Sequence, residues 1–178
     1  TETPRKYGLH ATIKPPFVLA EGATADGLQS AFETSCTQLA PVTLDGLSLT
    51  PLGRFLALTP EGGTAALNAM AAEVVRGLDT FRAPPSEADL ARRHQANLTP
   101  AQEANLSQWG YPYVMEAFRF HVTLTGKLPK SDLPRVTAAL APYIAPHLPQ
   151  PFILDSLTLV GQAEDGMFHE VHRAALSG

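Results

Sequence analysis

Two short segments, Leu9-His-Ala-Thr-Ile13 and Phe120-His-Val-Thr-Leu124, carry the residue types in this chain best suited to chemistry. Each sets an imidazole and a hydroxyl two residues apart in an alternation of apolar and polar side chains, the pattern of a half-buried strand. Successive side chains on a strand point to opposite faces, so His10 projects with Thr12, and His121 with Thr123, while Leu9, Ala11 and Ile13 are expected on the core side. Facing one another, two imidazoles and two hydroxyls suit a phosphodiester. Imidazole titrates near neutrality, so one ring can take a proton from water while the other gives one to the departing oxygen. The hydroxyls would donate to non-bridging oxygens and stabilise the charge of the transition state. No metal and no other cofactor is required by this scheme. A lone His-x-Thr is usually structural, but a polar pair at the same place in two copies is poorly explained by packing, which Val or Ile would serve as well.

The copies belong to an internal repeat. His10 and His121 lie 111 residues apart, Leu44-Asp45-Gly-Leu47-Ser-Leu49 recurs as Leu154-Asp155-Ser-Leu157-Thr-Leu159 at 110, and Gly53-Arg-Phe55 recurs as Gly166-Met-Phe168 at 113. Between the strands of each copy a helical pattern appears, first through Leu28, Phe32, Cys36 and Leu39, then through Val136, Leu140 and Ile144 with Ser131 as the expected N-cap. Each copy therefore reads strand, helix, strand, strand. The expected fold is α+β: a bilobal, pseudo-two-fold duplication with antiparallel sheets lining a central cleft and helices outside. Lobe one is expected over about 7–60, a helical insertion over about 61–113, and lobe two over about 114–178. In the insertion, Leu67, Met70, Val74 and Leu78 form a helical stripe, a short helix follows Ser86, and Thr99-Pro-Ala-Gln102 is a capping box.

Tyr7-Gly-Leu-His10-Ala-Thr12-Ile-Lys14-Pro-Pro-Phe17, Trp109-Gly-Tyr-Pro-Tyr-Val114 and Phe118-Arg-Phe-His121-Val-Thr123-Leu-Thr-Gly126 together resemble the two-histidine (2H) phosphoesterase superfamily. Within it the chain is most similar to an uncharacterised-domain branch associated with bacterial phosphonate metabolism. The resemblance spans nearly the whole chain. It implies a bilobal fold with a central groove, His10 and His121 as catalytic acid and base, and Thr12 and Thr123 as phosphate ligands. Members of that branch generally carry an additional N-terminal strand, which is expected to be absent from these residues; a fragment is expected, since the chain opens at Thr1.

Several further side chains are candidates for substrate binding. Lys14 shares the parity of His10 and Thr12 and is placed at the cleft mouth, Thr125 is in phase with Thr123, and Tyr7 and Tyr113 offer rings that could stack on a sugar or base. Arg92-Arg93-His94 is the one compact basic cluster, from which an arginine could reach a second phosphate. Arg119 is read as a surface residue pointing away from the cleft. His169 and His172 are three apart on an expected strand, on opposite faces, so no metal site is assigned. No Walker loop, nucleophile elbow, zinc protease motif or dinucleotide fingerprint occurs.

Composition sets the outer bounds. With 178 residues, 44% hydrophobic and 17% charged, one domain is expected, and a net charge of −4 gives no footprint for long nucleic acid. No segment has the length of a transmembrane helix, the single Cys36 allows no internal disulfide, and the cytoplasm is the expected compartment; oligomeric state is left open. The expected activity is a metal-independent phosphodiesterase opening a small cyclic phosphate, by resemblance a ribose cyclic phosphate of phosphonate catabolism. Two alternatives stand beside it: a 2',3'-cyclic nucleotide or RNA-end phosphodiesterase, and a module that binds a nucleotide or phosphorylated ligand without turnover.

Overall fold

Leu28, Phe32 and Cys36 recur every fourth residue, and the helix they define, α1 (Ala25–Gln38), buries all three. The hydroxyl of Thr24 accepts from the Gly27 amide and so satisfies one of the N–H groups left open at the helix start. The computed structural model describes residues 5–94 and 97–178. After α1 come β1 (Val42–Leu44), β2 (Gly46–Leu52), β3 (Phe55–Glu61), α2 (Ala65–Gly77), α3 (Glu87–His94), α4 (Pro100–Trp109), β4 (Val122–Thr123), α5 (Leu133–Ile144), β5 (Phe152–Leu154), β6 (Ser156–Gln162) and β7 (Phe168–Ala175). All strand pairs are antiparallel, and the fold is α+β.

The internal repeat is visible in the pairing register. β1 meets β5 with Val42 opposite Leu154, Thr43 opposite Ile153 and Leu44 opposite Phe152. At the offset of 110, Val42 corresponds to Phe152 and Leu44 to Leu154, so the two strands exchange equivalent residues across their midpoint, as a two-fold relation requires. A second contact of this kind joins Ala11 to Val122, equivalents at the offset of 111. The hairpins match as well: β2 with β3 in the first copy, β6 with β7 in the second. Gly53 and Gly166 both take positive φ in the connections, a conformation that costs a residue with a Cβ about 1–2 kcal/mol.

One apolar cluster unites the copies. Val42, Leu44, Leu47 and Leu58 from the first meet Phe118, Phe120, Val122 and Leu157 from the second, and Leu67, Met70, Ala71 and Val74 of α2 complete the cluster. The insertion thus supplies core. Its last helix starts as its sequence predicts, with a reciprocal capping box between Thr99 and Gln102 and Pro100 in the first turn, and ends at Gly110 in the left-handed region.

Four local expectations are corrected. After its helix each copy has three strands where two are expected, because Asp45 and Asp155 break the runs through Leu44–Leu49 and Leu154–Leu159 into two strands each. Ser131 is not the cap of α5: the cap position falls to Asp132, one residue later, without a side-chain bond. The first His-x-Thr segment is a single bridge at Ala11 and the second is only two residues of strand. With so little pairing around Ala11, Leu9 is not held against the core and stands 77% exposed.

Candidate functional site

β4 lies between two neighbours. On one side Val122 and Thr123 pair with Leu58 and Ala57 of β3; on the other Val122 bridges to Ala11. An antiparallel register through Ala11 and Val122 sets His10 opposite Thr123 and Thr12 opposite His121. Directly opposed side chains in such a pair are about 5 Å apart at Cβ. Phe118, Phe120 and Val122 are buried, so the intervening Arg119, His121 and Thr123 take the other face. Ala11 packs on the core, and His10 and Thr12 beside it are exposed. The two imidazoles and two hydroxyls accordingly share one outward face of paired segments.

The rings are oriented by the same device in both copies. The Nδ1 of His121 meets the Arg119 carbonyl at 2.8 Å, and that of His10 meets the Gly8 carbonyl at 3.3 Å. A carbonyl only accepts, so Nδ1 must carry the proton in each ring, and Nε2 is directed elsewhere. In His10 that nitrogen lies 3.2 Å from the Thr12 hydroxyl. Phe55 flanks His121 at 6.0 Å between ring centroids; Tyr7 lies at 5.2 Å from His10 and stacks on Phe168 at 4.8 Å. Tyr7 is therefore wedged between the first motif and β7, with part of its ring still exposed.

The remaining candidates are mostly committed elsewhere. Lys14 does not stand at a cleft mouth, because the extended chain bends just after Thr12 and the side chain, 7% exposed, runs inward. Its ammonium donates to the Val75 carbonyl at 3.1 Å and to Asp79 at 3.3 Å. Burial pulls that ammonium below its ordinary pKa, against the opposing pull of Asp79. Burial alone would push the Asp79 carboxyl up, yet the bonds and charges of Arg82 and Lys14 outweigh it and hold the group below its ordinary value. Thr125 is also spent: its hydroxyl accepts from the Leu56 amide at 3.0 Å and donates to the Gly126 carbonyl at 2.9 Å, since β4 has already ended. Arg93 lies over the ring of Tyr111 at 4.5 Å, and Tyr113, exposed, meets the edge of that ring at 5.7 Å. The side chain of Arg92 lies outside the described residues.

Asp79, the anchor beneath the first motif, was not legible as such, because Lys14, the motif residue it pairs with, is 65 residues away. Arg119 corrects the reading that it points away. The buried–exposed alternation reaches back to Phe118, and two residues along an extended chain restore the same face. Its guanidinium has no hydrogen bond or ion pair among the described residues. His172 of β7 pairs with Glu33 of α1 at 3.0 Å. Among the described residues no helix is long and apolar enough to cross a membrane.

Fold and site together define an internally duplicated α+β protein with a paired His-x-Thr face. The chain belongs to the family described as "Protein of unknown function (DUF1045)", whose model matches residues 12–169. Among curated proteins it is 36% identical over 183 residues to "Ribose 1,5-bisphosphate phosphokinase PhnN" of Janthinobacterium sp. (strain Marseille), covering 100% of this chain and 40% of that one. It is also 36% identical over 165 residues to the protein of the same name from Laribacter hongkongensis (strain HLHK9), covering 90% of this chain and 37% of that one. The chain spans about two-fifths of the length of these relatives. Their name corrects the expected activity: they are named as a kinase, so the assignment of the chain as a cyclic phosphodiesterase, a phosphoric diester hydrolase, is withdrawn. Imidazoles and hydroxyls on one face can hydrogen-bond a phosphate group whatever reaction follows, and the residue types alone do not select that reaction.

Proposed function

We propose that this chain holds a small phosphorylated sugar, of the ribose phosphate class and belonging to phosphonate metabolism, at a two-histidine site of the 2H type. The observation that carries the reading is the Ala11–Val122 bridge, whose register sets His10 and Thr12 beside Thr123 and His121. In this reading Thr12, Thr123 and the two Nε2 positions surround one phosphate group, and the imidazoles give or take a proton at its oxygens. The ligand class comes from the relatives, whose name specifies a ribose bisphosphate. That name is borne by much longer chains, and no Walker loop occurs in this one. What is proposed for these residues is accordingly recognition of the sugar phosphate rather than of a nucleotide donor.

Long-range 1H–15N NMR of the six histidines during titration with ribose 1,5-bisphosphate tests it. The Nε2 signals of His10 and His121 should move together while those of His147 and His169 stay in place. A hydrogen bond to a charged group contributes roughly 1.5–3 kcal/mol, so His10→Ala and His121→Ala should each weaken binding about 10-fold or more with the fold intact. Shifts centred on other histidines, or unchanged affinity in both variants, would overturn the assignment.

A further inference from the structure

The two-fold relation makes the central quartet almost symmetric, which raises the question of how an asymmetric ligand is oriented. The answer has to come from the flanking positions. Two residues before each histidine stand Gly8 and Arg119, and two residues after each threonine stand Lys14 and Thr125, equivalents at the offset of 111. Gly8 has no side chain to offer. Lys14 is turned inward to Asp79 and Val75, and the Thr125 hydroxyl is engaged with Leu56 and Gly126. Of the three side chains Arg119 alone is exposed, on the outward face of His121 and Thr123, and its guanidinium is free of any hydrogen bond or ion pair among the described residues.

We propose that Arg119 is the specificity-determining residue that orients the ligand, binding a second anionic group, of the phosphate class, at the His121 end of the site. The inference rests on the two-histidine phosphate reading above. Its geometry is favourable: two residues of extended chain span about 6.6 Å, comparable with the length of a five-carbon sugar. A phosphate between the histidines then leaves the far end of the sugar beside the guanidinium, which can grip a second phosphate with two parallel N–H donors. Because the equivalent position is Gly8, the reversed ligand finds no such partner, and a single binding orientation is selected.

Calorimetric titration of the wild type, Arg119→Ala, Arg119→Lys and His121→Ala with ribose 1,5-bisphosphate and with ribose 5-phosphate tests this. Arg119→Ala should lose roughly 10- to 100-fold in affinity for the bisphosphate, the usual range for a hydrogen bond to a charged group, while its affinity for the monophosphate stays near wild type. Arg119→Lys should recover part of the loss, since it keeps the charge but not the planar fork. Equal losses for both ligands would overturn the proposal and leave Arg119 as a general source of positive charge. Unchanged bisphosphate affinity in Arg119→Ala, with His121→Ala impaired, would overturn it while the two-histidine reading stands. A wild type that binds neither ligand ends both.

Discussion

Replacing Ala11 and Val122 together by cysteine should link the two His-x-Thr segments covalently, because these residues form the antiparallel bridge on which the shared face depends. Opposed residues in such a pair have Cα atoms about 4.5–5.5 Å apart, inside the range a disulfide accepts. Cysteine is smaller than Val122, which is buried, and so makes room for the sulfur added at Ala11 beside it, and Cys36, 1% exposed, is a poor competitor for oxidation. The bond would close a loop of about 111 residues, for which the chain-entropy relation gives an upper bound of about 4–5 kcal/mol. Engineered bonds often deliver less. Guanidinium unfolding of the oxidised and reduced forms measures the gain, and thiol counting after mild oxidation reports closure. His10, Thr12, His121 and Thr123 lie on the opposite face of both segments, so affinity for the proposed ligand should be retained in the oxidised form. Two engineered thiols that both remain reactive after oxidation would refute the adjacency, and the proposed site with it.

Two further outcomes concern the supports of the site. Asp79→Asn should destabilise the protein by about 2–3 kcal/mol in chemical unfolding at neutral pH, because it leaves the buried Lys14 and Arg82 cations short of their common partner; full burial would cost more, and Asp79 is partly exposed. The folded-state pKa of Asp79 lies below its ordinary 3.8, so its contribution is complete above that value and is lost as pH falls through the folded pKa. The gap between wild type and Asp79→Asn should therefore close in acid; a constant gap would show that charge is not its source. Gly110→Ala should cost about 1–2 kcal/mol, since Gly110 has φ 71 at the end of α4 and a Cβ there would stand 2.9 Å from Nη1 of Arg82, whose guanidinium is already tethered to Ala83, Asp79 and Gln108. An unchanged unfolding midpoint would contradict that cap.

Residue types and spacing made much of this legible, for identifiable physical reasons. The repeat offsets carried over into the pairing of β1 with β5 and of Ala11 with Val122, because equivalent segments that fold alike are free to pair about a common axis. The face shared by His121 and Thr123 followed from strand alternation, and the start of α4 from its capping box. Parity failed where strands stopped. Lys14 lies three residues beyond the bridge at Ala11 and Thr125 two beyond the end of β4, so their side chains answer to their own hydrogen bonds instead of to the pleat. Leu9 failed for the same reason, being outside the single bridge. The reaction was not legible at all: the chemistry of imidazole and hydroxyl points to phosphate, and the kinase name of the relatives was needed to remove the hydrolase reading.

A duplicated site inherits a difficulty, in that two equal halves treat the two ends of a ligand alike. Here the imidazoles are held by backbone carbonyls at Gly8 and Arg119, and no side chain at those positions takes part. A backbone contact leaves the side chain at the same position free to vary without disturbing the ring it orients. Position −2 from each histidine is therefore the place where the halves can diverge at least cost to the shared quartet, and it holds glycine in one copy and arginine in the other. The flanking positions on the far side are less free, since Lys14 and Thr125 tie their segments to α2 and β3 and a change there would loosen the frame. Symmetry thus shapes the shared quartet, and the proposed direction of the ligand falls to the one side chain uncoupled from both ring geometry and packing.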